Sequence, residues 1–236
     1  KKVIFNFRQN DILNGGQGAP LAPIYHYKLF KKLKLSSPCI FLNIGGISNI
    51  TFCDFDNYNA KDIGPGNVLI DSYLKKTKKI NYDHNGNIAS RGKIDYNIVN
   101  SFIEHNTYYK NDKHSYDISE FDYNFVRGLD FEDAVSTLTF FTAKIIADFI
   151  DDNFKENIKI ILCGGGRKNL TLINFLKKLI NNDIINIDNT GIDGDYIESQ
   201  AFAYLAIRSF YNKTLTIPNT TKVKKAVSGG ELIINY

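Results

Sequence analysis

A chain of 236 residues, 43% hydrophobic and 23% charged, can bury a full core as one large domain or as two smaller lobes. Its 29 basic and 25 acidic residues leave a formal charge of +4, and their mixing, broken only by patches such as Lys75, Lys76, Lys78 and Lys79, reads as solvated helix face and argues against a nucleic-acid partner. No apolar run approaches the ~18 residues of a membrane span and no signal peptide opens the chain, so a cytoplasmic protein with no membrane partner is expected.

The sequence opens on Lys1-Lys2-Val3-Ile4-Phe5 and contains no methionine, which raises the expectation that more chain precedes residue 1. Val3–Phe7 and Cys39–Ile44 are apolar strand formers, and Tyr25, Leu29 and Leu33 recur at helical spacing between them, which predicts a strand-helix-strand unit. Ile47–Phe55 continues as a strand, Gly64-Pro65-Gly66 breaks the chain, and a helix follows from Asn67 to Lys76. Tyr82–Gly92 reads as a surface loop with room for a hairpin, 94–105 as a helix, and Tyr108–Arg127 as a loop of functional or interdomain character. Asp130 stands where it would cap a helix carrying Leu138, Phe141, Ile145 and Phe149 on one face. Ile158–Cys163 is a compact buried strand, Leu172, Phe175, Leu176, Leu179 and Ile180 mark the inner face of a helix, Ile184–Ile187 a strand and Glu198–Phe210 a helix. Strands alternating with helices over this length imply an α/β fold.

Cys39, Cys53 and Cys163 have no CxxC spacing, and His26, His84, His105 and His114 are scattered; neither a zinc site nor a disulfide framework follows. Four other segments could carry chemistry. Asn43-Ile44-Gly45-Gly46-Ile47-Ser48-Asn49 is either a two-residue hairpin or a loop whose amides turn toward a phosphate. Cys163-Gly164-Gly165-Gly166 sits at a strand end before a helix, where open α/β sheets bind ligands, and a tight turn explains it equally well. Neither segment has the Rossmann or P-loop spacing. Asp62, ahead of Gly64-Pro65-Gly66-Asn67, would hold a carboxylate for accepting a proton or would simply cap the helix. Asp11 and Gln17 flank Gly15-Gly16, with Gly18-Ala19-Pro20-Leu21 after them, in a turn that could equally begin a helix.

Taken in order, these segments resemble the anhydro-N-acetylmuramic acid kinase family of the sugar kinase, heat-shock protein and actin superfold. The resemblance extends over nearly the whole chain. It includes Phe7-Arg8, Ala134 with Thr137-Leu138-Thr139 and Thr142-Ala143, Asn169, and Glu198 with Ala201-Phe202-Ala203, and its most specific parts are the GGQGAPL and GPGN stretches.

The resemblance implies ribonuclease H-like lobes, the second complete and the first truncated, with 1–38 as the remainder of the first lobe and interlobe connection and 39–236 as the nucleotide-binding lobe. It implies an enzyme that uses ATP and Mg2+ to open 1,6-anhydro-N-acetylmuramic acid and phosphorylate O6, giving N-acetylmuramic acid 6-phosphate. Asp62 takes the role of general base toward the attacking water, with its carboxylate facing an interlobe cleft. Asn43, Gly45, Gly46, Asn49, Gly164, Gly165, Gly166 and Asn169 are assigned to the nucleotide, Gly45-Gly46 at the phosphates and Gly164 to Gly166 beside the adenosine, and Gln17, Gly18, Pro20, Gly64 and Asn67 to the sugar. No magnesium ligand can be named. A homodimer is implied.

The family's opening Gly-Thr-Ser-Leu-Asp-Gly loop has no counterpart here. The expectation is therefore a chain lacking one side of its nucleotide clamp and inactive alone, with a first lobe supplied as a preceding segment or a separate polypeptide. The alternative is a non-catalytic nucleotide-binding remnant. Asn6 replaces an aspartate of the family, Lys113-His114-Ser115-Tyr116-Asp117 keeps a substrate loop only loosely, and Thr220-Thr221-Lys222-Val223 replaces Val-Thr-Gly-Ala.

Overall fold

Short apolar runs bounded by glycine, proline and asparagine form the strands, and the 3.6-residue patterns form the helices. The computed structural model describes residues 1–35, 37–106, 116–154 and 157–234. In chain order these carry β1 (Lys2–Phe5), α1 (Gln9–Leu13), α2 (Pro23–Lys32), β2 (Cys39–Ile44), β3 (Ile47–Cys53), β4 (Tyr58–Pro65), α3 (Val68–Lys78), α4 (Tyr96–His105), α5 (Phe131–Asn153), β5 (Lys159–Cys163), α6 (Leu170–Leu179), β6 (Ile184–Asn186), α7 (Ile197–Phe210), α8 (Pro218–Thr221) and β7 (Glu231–Ile234). Five strands form a sheet in the order β4-β3-β2-β5-β6, with β5 and β6 parallel and Ile160 opposite Ile184. The α/β class read from the sequence holds.

Three features differ from the expected reading. β1 does not join β2 in a strand-helix-strand unit; it pairs antiparallel with β7, Lys2 opposite Ile234, in a separate two-stranded sheet. β4 is a full strand where the sequence placed only a strand end at Asp62 before the Gly64-Pro65-Gly66 break, because backbone pairing next to β3 tolerates its mixed polarity and ends at Pro65. The 82–92 segment forms two short 3-10 turns, His84–Gly86 and Ala89–Arg91, in place of a hairpin.

The chain packs as two compact units, one of Lys1–Phe41, Ile50–Lys61 and Ile187–Tyr236, the other of Leu42–Asn49 and Asp62–Asn186; the division runs through β2, β3 and β4. In the first, Leu29, Phe30, Phe41, Ile50, Cys53 and Leu205 are buried. The second is built around α5, buried almost all round from Ala134 to Ala143, with Leu74, Leu162, Leu172 and Leu176 also buried. Asp130 occupies the N-cap position of α5 without a side-chain bond, whereas Asp95 and Asn169 cap α4 and α6 through theirs. Cys39, Cys53 and Cys163 are free and buried. No helix among the described residues is long and apolar enough to cross a membrane.

Candidate functional site

Gly45 and Gly46 connect the neighbouring strands β2 and β3, so the hairpin reading is correct, and Gly45 N–H donates to Ile47 O at 3.2 Å. The turn also grips the next junction. Its carbonyls accept the amides that open α3: Gly66 N–H to Gly46 O at 2.8 Å, Asn67 N–H to Gly45 O at 2.7 Å and Val68 N–H to Gly46 O at 3.2 Å. These are helix-start donors that would otherwise lack partners. The Asn67 side-chain amide donates to Gly45 O at 3.1 Å, and the buried Thr142 hydroxyl of α5 donates to Gly66 O at 3.1 Å. The contact requires glycine at 66, since a Cβ there would stand 2.3 Å from Gly45 O. Gly46 itself is exposed, and its N–H has no partner among the described residues.

The three glycines after β5 divide their work. Gly164 has φ +77°, and a Cβ on it would lie 2.6 Å from both Asn43 Oδ1 and Ile44 O; a Cβ on Gly166 would overlap Ile44 Cγ2. These two let the turn lie against the end of β2. Gly165 faces open space and lines a cavity of about 420 Å³ together with Asn67, Ile70 and Asp71 of the α3 segment, Lys168 and Asn169 after β5, and residues 81–85. Asn169 Oδ1 accepts Leu172 N–H at 3.0 Å, so this residue both caps α6 and borders the cavity.

Asp62 lies in the C-terminal half of β4 and is half-buried. It does not cap α3, whose N-cap is Asn67; its Oδ2 accepts the Tyr116 N–H at 3.2 Å. Burial pushes its carboxyl above the ordinary aspartate value, and the Tyr116 hydrogen bond partly offsets this. The result is a carboxylate more basic than usual, as a general base requires. Asp62 is not among the cavity's lining residues, and neither are Gly45 and Gly46.

Thus Asn43, Gly45, Gly66, Asn67 and Gly164 are brought into direct apposition, and Asn67, Gly165 and Asn169 share one cavity. Gly64 is buried in β4, and Asn49 is half-buried in β3. Gln17, Gly18 and Pro20 belong to the other compact unit, where Gln17 N–H donates to Thr221 O at 2.8 Å. There the buried Asp11 accepts Gly18 N–H at 2.7 Å, Thr216 Oγ1–H at 2.5 Å and Thr221 Oγ1–H at 2.6 Å, and a Cβ on Gly16 would fall 2.1 Å from its Oδ2. Residues 113–115 of the loosely matched substrate loop lie outside the described residues.

Sequence reasoning missed Asp71, Asp83 and His84, all on the cavity wall. Asp71 was findable, since it follows Asn67 by four residues and shares its helix face. Asp83 was not, because its carboxylate turns inward to accept the Ile88 and Ala89 amides at 2.8 and 3.0 Å. No group of three or more His, Cys, Asp or Glu among the described residues could hold a metal ion.

The model of the family "Anhydro-N-acetylmuramic acid kinase" matches residues 1–235. The chain is 48% identical over 246 aligned positions to an anhydro-N-acetylmuramic acid kinase of Pelagibacter ubique, with 100% of this chain and 66% of the relative covered. It is 37% identical to one of Zymomonas mobilis, covering 98% and 63%, and so spans just under two thirds of the length of these relatives. Among solved structures, the (R)-2-hydroxyglutaryl-CoA dehydratase component A of Acidaminococcus fermentans aligns with TM-score 0.47 and 11% identity over 77% of this chain and 68% of its own, a likeness too slight to carry an argument. The family match and the whole-chain identity suffice: the chain belongs to the anhydro-N-acetylmuramic acid kinase family.

Proposed function

We propose that this chain carries the nucleotide-binding and general-base part of a cytoplasmic, ATP-dependent kinase of the sugar kinase and actin superfold that acts on 1,6-anhydro-N-acetylmuramic acid. The observation that carries the reading is Asp62, a half-buried strand carboxylate with raised basicity and one backbone N–H as its partner among the described residues. In the reaction, water adds to C1 and gives its proton to Asp62. The C1–O6 bridge bond breaks, O6 takes the γ-phosphoryl group, and ADP leaves with the product N-acetylmuramic acid 6-phosphate.

The open Gly46 N–H suits a phosphate oxygen, and Gly165 and Asn169 border a cavity that suits the adenosine. Magnesium enters only as the counter-ion of the phosphates, for which one or two carboxylates suffice; no step above passes through it. Gln17, Gly18 and Pro20 are assigned to the sugar on the strength of the family alone, and assembly as a homodimer has the same basis.

The test has two arms. Titration of the purified chain with ADP should give saturable binding, and absence of binding at millimolar ADP would overturn the nucleotide reading. Mixed with the separately expressed segment that the relatives carry beyond the matched region, and supplied with ATP, Mg2+ and the anhydro sugar, it should yield the 6-phosphate. Nucleotide binding without product would identify a non-catalytic binding module instead.

A further inference from the structure

The wall of the cavity beside α3 includes a carboxylate, Asp71, with no assigned use. Asp71 is half-buried, and its backbone N–H makes the ordinary helical bond to Asn67 O at 2.8 Å. Its carboxylate accepts no hydrogen bond from any described residue. Asp83, on the same wall, is spoken for by two backbone amides. Burial first, and then the Asp83 charge, push the Asp71 carboxyl up to about 6. A partly desolvated carboxylate without a donor is unfavourable, and donors on a ligand in the cavity would relieve it.

The position along α3 narrows what those donors are. Asp71 lies four residues, or roughly 6 Å of helix rise, beyond Asn67. Phosphates are drawn to the open Gly46 N–H of the hairpin that holds the start of α3, and are repelled by a carboxylate. The next group along a nucleotide is the ribose, whose two hydroxyls match the two oxygens of one carboxylate. Bare backbone at Gly165, where a Cβ would meet nothing within 4 Å, leaves space for the flat base beyond it. On the reading that this unit binds a nucleotide, we propose that Asp71 accepts hydrogen bonds from the ribose hydroxyls and thereby sets a preference for ribonucleotides over deoxyribonucleotides.

The test is calorimetric titration of the purified chain and its Asp71→Asn variant with ADP, 2′-deoxy-ADP and 3′-deoxy-ADP. The wild-type chain should bind ADP about tenfold more tightly than either deoxy analogue, the scale of one charge-assisted hydrogen bond. In Asp71→Asn, ADP should weaken about tenfold and the three ligands should come within about twofold of each other. Wild-type binding that does not distinguish the three ligands overturns the proposal even if the variant does not fold. A variant that still discriminates also overturns it, and in both cases the nucleotide reading stands. Absence of ADP binding removes the nucleotide reading and this proposal together.

Discussion

In the unit formed by Lys1–Phe41, Ile50–Lys61 and Ile187–Tyr236, Asp11 receives three donors and is 1% exposed, and His26 is 2% exposed with its Nδ1 2.8 Å from Thr51 Oγ1 and its ring stacked on Phe41. In the unit of Leu42–Asn49 and Asp62–Asn186, Asp62 receives one donor and Asp71 none among the described residues. Both units bury ionisable groups, but in the second Asp62 and Asp71 keep hydrogen-bonding capacity that no described residue uses, Asp71 on the wall of the cavity. A saturated buried carboxylate is a structural part, since removing its partners costs stability and no ligand can reach it. An unsaturated one tolerates its environment because something else completes it. By this measure Asp11 fixes the Gly15–Pro20 loop, whereas Asp62 and Asp71 are the chemically available acids.

The strongest way to break the comparison is at Asp11. Asp11→Ala strands one amide and two hydroxyls in the core and should cost about 4 kcal/mol, read from the urea midpoint; a loss below about 1 kcal/mol would show that the network is not saturated structure. His26 supplies the next largest effect. Burial lowers its pKa to about 4 from an ordinary 6.5, so the folded state holds this proton less well than the unfolded state. Its contribution is therefore present above pH 6.5 and lost as the pH falls from 6.5 through 4, by about 3 kcal/mol. Urea titrations at pH 7 and pH 4 should show a steeper loss for the wild type than for His26→Gln.

On the chemical side, Asp62→Asn should lower kcat of the reconstituted reaction by at least ~10², equivalent to about 2.7 kcal/mol, and leave ADP affinity almost unchanged. Because burial raises this carboxyl, the base form is lost on acidification at a higher pH than for an exposed aspartate, so the acid limb of kcat should lie above the ordinary value and vanish in the variant. Unchanged activity in Asp62→Asn would end the general-base assignment. The smallest expected effect is at Thr142→Val, which removes one donor from Gly66 O and should cost about 1 kcal/mol, visible as a shift in the thermal midpoint.

Much of the second unit was legible in advance. The spacing of Leu138, Phe141 and Ile145 gave α5, and all three are buried; the strand running into Gly164-Gly165-Gly166 and the helix after it were read correctly. The two readings offered for Gly45-Gly46 turn out to be compatible, a hairpin whose outer amide stays open. The role of its carbonyls was not legible, because nothing in four residues of sequence says which segment will lie against them.

Local chemistry explains what the sequence determined by itself. Helical periodicity, β-branched runs and glycine at tight turns act over a few residues, so the α/β class, most element positions and the turn around Gly165 follow from neighbours in the chain. Only the tertiary structure decided that β1 pairs with β7 across the whole length of the chain, that β4 is a strand, and that Asp71 faces a cavity while Asp11 does not. Strand partnership and cavity walls are made by residues far apart in sequence, and whether a carboxylate is saturated or available depends on donors that only packing brings to it.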